Sequence, residues 1–299
     1  MSFFICYKRE GEYRLNKKEY EIINVLNHNT LLCNDNNKKE LYVFFGKGIG
    51  FKKKRGDIFV ENNDIENFLL ALEKDEAIKY KELLEQVSSN KLIDVVQEIV
   101  YKANEAFNYK INAKLNLTLL DHLNFAWQRQ KNNIIINYPF LDELRFIYPK
   151  EYDFSKKALY YLNKKMKPDI CFDESELGFL VLHIHAALKN EKVSNVLLNR
   201  EIVYTCIEFI ERKFNEKIDR KTIYYSRFVK HLEYAIHRYK KGIQLQNVLL
   251  NSVKDICKNE YYISKELNII LKTKYHIDLD ENELGYLTLH IYNLKNRNK

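Results

Sequence analysis

D-E-S-E-L-G-F-L-V-L-H-I, from Asp173 to Ile184, returns as D-E-N-E-L-G-Y-L-T-L-H-I from Asp280 to Ile291, with nine of twelve positions identical. Self-similarity over about a hundred residues marks a duplicated structural unit rather than a short motif. The match extends upstream. E-Y-D-F-S-K (Glu151 to Lys156) pairs with E-Y-Y-I-S-K (Glu260 to Lys265), 109 residues later, and His122 and Arg129 pair with His231 and Arg238 at the same offset. Within the copies apolar residues recur at three- and four-residue steps. Leu92, Val95, Val96, Ile99 and Val100 share one helix face, and Leu119, Leu120, Leu123 and Trp127 another. The chain from about Asp64 onward therefore reads as all-α, built twice from one helical module.

The stretch before the modules has a different character. E-I-I-N-V-L-N-H-N-T-L-L (Glu21 to Leu32) is β-branched and Leu-rich, broken by the turn-like Asn27-His28-Asn29. E-L-Y-V-F-F (Glu40 to Phe45) and Ile58-Phe59-Val60 are further strand candidates, and five of the eight glycines (Gly11, Gly46, Gly48, Gly50, Gly56) fall here. The expected fold class is multidomain: a small antiparallel β domain of three or four strands, then two homologous helical bundles. The expected boundaries are 1–19 for an N-terminal extension, 20–75 for the β domain, and 76–190 and 191–299 for the modules.

Composition narrows the function. The 299 residues carry 49 Lys+Arg against 41 Asp+Glu, a net charge of +8, with 46% hydrophobic residues but only 8 Gly and 3 Pro. No apolar run approaches the roughly 18 residues of a membrane span. Five scattered cysteines, an odd number, fit reduced thiols and a cytoplasmic setting. The string Gly46-Lys47-Gly48-Ile49-Gly50 is not a dinucleotide fingerprint, because the spacing is wrong and no helix follows. It reads either as a glycine-rich hairpin or as a loop whose bare backbone admits a nucleic acid. In the second reading Phe51 is a stacking surface beside Lys52, Lys53, Lys54 and Arg55, and Asn27 and Asn29 read base edges.

The histidines carry the chemistry of the repeat. Each module has one early (His122, His231) and one late (His183, His290). No nucleophile elbow accompanies them, and the clustered carboxylates of helix-bundle metal sites are missing. His183 and His185 project from different sides of a helix, a poor chelate pair. The remaining role is a repeated surface histidine that accepts a phosphoryl group through its neutral imidazole. No enzyme activity, cofactor or metal is expected. A DNA-binding activator sharing the helical modules, which predicts an N-terminal helix-turn-helix, and a helical-bundle metalloprotein are the alternatives.

These segments resemble the bacterial transcriptional antiterminators of the beta-glucoside and sucrose type: a co-antiterminator RNA-binding domain followed by two regulation domains of the sugar phosphotransferase system. The resemblance rests on I-I-N-V-L-N-H-N-T-L-L, on F-G-K-G-I-G-F-K-K-K-R-G-D, on D-H-L-N-F-A-W-Q-R (Asp121 to Arg129), on S-R-F-V-K-H-L (Ser226 to Leu232) and on the two E-L-G segments. It implies RNA contacts at Asn27, Asn29, Gly46, Lys47, Gly48 and Phe51, and phosphorylation at His122, His183, His231 and His290. Arg129 and Arg238, two helical turns beyond the early histidines, are the expected supports. The implied partners are a leader mRNA hairpin, the histidine phosphocarrier protein, a sugar permease and a second copy of the chain. The first module's histidines are implied to inhibit and the second's to activate. His28 stands where the family commonly has Asn, and Lys47 where it often has Arg. Residues 1–19 precede the family's usual start, with an extra strand, a tail or a misassigned start codon all open. With no transport-enzyme domain after the second module, the short antiterminator form is expected.

Overall fold

The computed structural model describes residues 18–35, 37, 40–46, 48–60, 70–87, 89–108, 110–134, 136 and 141–296. Lys47 and nearly all of the N-terminal extension lie outside these residues.

β1 (Glu19–Asn27), β2 (Thr30–Asp35), β3 (Glu40–Phe45), β4 (Ile58–Val60) and β5 (Leu70–Glu73) form one antiparallel sheet in the order β4-β1-β2-β3-β5. Alternation along the strands builds its core: Tyr20, Ile22, Leu31, Cys33, Tyr42, Phe44 and Phe59 are buried together, with Tyr20 and Phe44 edge-to-face at 4.8 Å. β2, central in the sheet, is buried on both faces. The sheet replaces the helix-turn-helix that a DNA-binding activator would require at this end.

Two expectations need correction. The helical pattern does not begin at Asp64, because Leu70–Glu73 is a strand paired with β3. L-A-L-E favours a helix locally, but pairing with an otherwise open sheet edge outweighs that propensity. Nor is the glycine-rich stretch a hairpin. β3 and β4 lie on opposite sides of the β1–β2 pair, and between them Gly46 and residues 48–51 lie by the β1–β2 turn while Gly56 and Asp57 pair with Ile22. Gly50 donates its N–H to His28 O, and a Cβ on Gly50 would stand 2.3 Å from Asn27 O. Only glycine fits there.

The helices are α1 (Lys74–Gln86), α2 (Asn90–Ala106), α3 (Lys114–Lys131), α4 (Leu141–Ile147), α5 (Pro149–Met166), α6 (Glu176–Lys189), α7 (Val193–Phe214), α8 (Ile223–Lys241), α9 (Leu250–Ile256), α10 (Lys258–Tyr275) and α11 (Glu281–Asn296). Every apolar position singled out on α2 and α3 is buried. The chain divides into two compact units, residues 1–139 with 150–192, and residues 140–149 with 193–299.

In the first unit α1 lies on β3, with Tyr80 edge-to-face on Phe45 at 5.2 Å, and α3 packs against α2 and α6. In the second, α8 is capped by the Thr222 hydroxyl, which accepts from Tyr225 N, and ends at Gly242 with φ +66°. The glycine of the second E-L-G has a packing reason: a Cβ on Gly285 would meet Asn247 Nδ2 at 2.6 Å.

Candidate phosphoacceptor sites and RNA-contact loop

α3 and α6 bring together the two histidines of the first module. Their ring centroids lie 5.0 Å apart. Glu176, the second glutamate of the D-E-S-E-L-G segment, is buried between His122 and Arg129. One carboxylate oxygen accepts from Arg129 at 2.7 Å and the other from His122 Nε2, also at 2.7 Å. An ionised carboxylate only accepts, so His122 Nε2 is the donor in this contact. Phe179, 4.9 Å from His122 between centroids, flanks the pair, and Arg129 lies over Phe125 at 4.9 Å.

α8 and α11 repeat the construction. His231 and His290 stand 4.7 Å apart, with Tyr286 where the first module has Phe179. Here the carboxylate is used differently. Arg238 takes both oxygens of Glu283, at 2.5 and 2.9 Å, and His231 Nε2 is 3.6 Å from the nearer one. That distance is too long for a hydrogen bond, so this buried nitrogen has no partner.

These rings are not surface histidines, contrary to the sequence expectation. His183 is 6% exposed, and the side chains of His122 and His231 are 13% and 14% exposed. They sit on the inner flanks of helices that the E-L-G segment holds close together. Burial, with His122 beside it, pushes His183 down to about 3. Burial, with Arg238 nearby, takes His231 to about 4, and burial beside His231 and Arg227 takes His290 to about 4. All three are neutral at pH 7 and keep a lone pair. His185 points elsewhere, its Nδ1 3.0 Å from Glu151 Oε1. Among the described residues no three His, Cys, Asp or Glu side chains come together to hold a metal ion.

Glu176 and Glu283 were missed by the sequence reading. Their signal was present, since they are identical in the two copies, but 54 and 52 residues separate them from the histidines they serve.

Of the residues expected to contact RNA, Asn27, Asn29, Gly46, Gly48 and Phe51 gather at the β1–β2 turn end of the sheet. Phe51 is 60% exposed, with Lys52 Nζ over its ring at 5.4 Å and the His28 ring 6.4 Å away between centroids. Lys52, Lys53, Lys54 and Arg55 are all exposed, and their side chains form no ion pair among the described residues; the Lys54 backbone N–H donates to Asp57 Oδ2 at 2.8 Å. Asn29 Oδ1 accepts the N–H of Gly48, whose φ is +72°, and Gly46 donates to Asn29 O. Asn27 Oδ1 accepts from Asn29 N, so the two asparagines and the glycines brace one another.

A β platform with an unpaired basic and aromatic rim, followed by duplicated helical modules that each bury a histidine pair, defines a nucleic-acid-binding regulator with two control domains. Comparison with known families agrees: the CAT RNA binding domain matches residues 20–77, and the PRD domain matches residues 97–187 and 204–294. The chain belongs to this family of RNA-binding transcriptional antiterminators, which are controlled by phosphorylation from the sugar phosphotransferase system. Protein GlcT of Staphylococcus saprophyticus is 32% identical over 94% of this chain and 99% of its own length. The GlcA/glcB genes antiterminator of Staphylococcus carnosus is 33% identical over 94% and 97%. A crystal structure of GlcT CAT-PRDI aligns with 57% of this chain and 98% of its own at 33% identity, with a TM-score of 0.48. No helix among the described residues is long and apolar enough to cross a membrane.

Proposed function

We propose that the chain holds a leader mRNA hairpin through Asn27, Asn29, Gly46, Lys47, Gly48 and Phe51, and that phosphates on His122, His183, His231 and His290 decide whether it does so. The observation carrying the second half is that both modules close two imidazoles on each other beside a carboxylate and an arginine. A phosphoryl group brings about two negative charges. On His122 it would oppose the Glu176 carboxylate and offer Arg129 a second anion to bind, which gives the module two alternative arrangements.

Binding shifts RNA folding by mass action. A hairpin held at a hundredfold excess over Kd gains roughly 2.7 kcal/mol, enough to decide against a terminator of similar stability. The chain acts as a homodimer, since a symmetric pair doubles the face offered to the RNA. It works in the cytoplasm and has no catalytic role. Its phosphates come from the histidine phosphocarrier and a sugar permease. The first module's phosphates inhibit and the second's activate. The copies differ in a way that supports two signs, since exposed Asp121 precedes His122 whereas exposed Lys230 precedes His231.

The test is an antitermination reporter driven by the chain's own leader. His122→Ala leaves the reporter on without sugar, His231→Ala weakens it, and Phe51→Ala lowers RNA affinity by about 1–3 kcal/mol, the worth of one stacked base. A reporter indifferent to all three variants would overturn the proposal.

A further inference from the structure

Asn27 is not free in this structure. Its Nδ2 donates to Gln97 Oε1 at 3.0 Å and to Asp94 Oδ1 at 3.3 Å, both on α2. Gln97 is 7% exposed and fully used: its Nε2 donates to the Thr30 hydroxyl at 2.5 Å and to the Tyr80 hydroxyl at 3.2 Å. Thr30 is paired with Asn27 across the β1–β2 turn. One buried amide of the first module thus grips both sides of the turn that presents the RNA-contact asparagines. With both Nδ2 hydrogens given to Gln97 and Asp94, the Asn27 side chain has no donor left for a base edge, and its Oδ1 already accepts from Asn29 N. Beside it the Asp94 and Glu98 carboxylates add negative charge next to the loop.

We propose that Gln97 and Asp94 form a latch on the RNA-contact loop: the leader RNA and α2 compete for the Asn27 amide, and α2 releases Asn27 before the hairpin is read in full. This rests on the reading of Asn27 as an RNA contact. It gives α2 two arrangements, one holding the loop and one not. α2 packs against α3, the helix of His122, so a change at the first histidine pair has a packed route to the loop. Apparent RNA affinity is then the intrinsic affinity reduced by the fraction of unlatched chains.

The probe is an RNA hairpin recovered by in-vitro selection on the full wild-type chain, with affinities measured by fluorescence anisotropy. Asp94→Ala and Gln97→Met bind it about threefold to tenfold tighter than wild type, the worth of one or two hydrogen bonds. Asn27→Ala binds it more weakly. Gln97→Met strands Thr30 and Tyr80, so its thermal melting is measured alongside. If it melts early, the exposed Asp94→Ala decides alone. Weaker binding by Asn27→Ala, with Asp94→Ala no tighter than wild type, overturns the latch and leaves the RNA reading standing. Unchanged binding by Asn27→Ala, or failure to select any hairpin, removes the RNA reading of Asn27 and the latch with it.

Discussion

In the first module Glu176 gives one carboxylate oxygen to Arg129 and the other to His122. In the second, Glu283 gives both to Arg238, and His231 keeps an unpartnered Nε2. The residue types are the same and the spacing nearly so; what differs is how one carboxylate is shared. Duplication supplied two identical sets of parts, and the partition of a single ion pair made them unequal. The His122 ring is anchored by a hydrogen bond from Nε2 to Glu176, whereas the His231 ring has no such anchor. The first ring is therefore the more tightly held, and under the proposed function the second is expected to be phosphorylated the more readily.

Removing the carboxylates breaks this comparison most severely. Arg129 and Glu176 have side-chain exposures of 9% and 3%, whereas Arg238 is 21% exposed and has access to water. Glu176→Ala strands a buried charge and destabilises the first unit by about 3–5 kcal/mol. Glu283→Ala costs the second about 2 kcal/mol. The single tryptophan, Trp127 on α3, reports the first unit alone. Its fluorescence transition in urea moves to much lower denaturant in Glu176→Ala and stays in place in Glu283→Ala. Equal shifts would mean that the two sites are wired alike.

Phosphorylation rates sharpen the same contrast. With the phosphocarrier as donor, His231 is modified faster than His122 in the wild type. Glu176→Gln speeds His122 about tenfold, the equivalent of one charge-assisted hydrogen bond at 1.4 kcal/mol per decade. Glu283→Gln leaves His231 within about twofold, since no hydrogen bond to that ring is lost. Quench-flow sampling with site-resolved mass spectrometry measures both. A faster His122 in the wild type would reverse the ordering.

Much of this organisation could be read from sequence, and for identifiable reasons. The repeat, the strands from Glu21 to Phe45 and the buried faces of α2 and α3 rest on local periodicity, which side-chain direction enforces directly. β5 could not be read this way, because Leu70–Glu73 has no strand signal of its own and takes its conformation from β3 across the sheet. The burial of the histidines was equally hidden. Their faces are apolar only because a second helix, about sixty residues away in sequence, closes over them. The link from Asn27 to Gln97 spans 70 residues and involves two ordinary polar side chains, so nothing in either segment announces it.

Acid gives the smallest and most general effect. His183, His231 and His290 have native values lowered to about 3, 4 and 4, against an ordinary 6.5. Between those limits the unfolded chain binds more protons than the native one, so stability is complete above about pH 6.5 and falls as pH drops toward 4. Thermal midpoints from pH 7 to pH 4.5 decline accordingly. The double variant His231→Gln, His290→Gln loses more of that slope than His183→Gln, because two lowered groups are removed instead of one. A pH-independent midpoint in the wild type would contradict neutral, buried rings at His183, His231 and His290.

The most direct test of the whole account is where the phosphates go. The full chain is incubated with the histidine phosphocarrier system, digested, and analysed by mass spectrometry under alkaline conditions that preserve phosphohistidine. The account predicts phosphate on His122, His183, His231 and His290, the histidines that pair across α3–α6 and α8–α11, and none on His28, His185, His237 or His276. Phosphate on His185 or His237, with none on the four paired histidines, would contradict it.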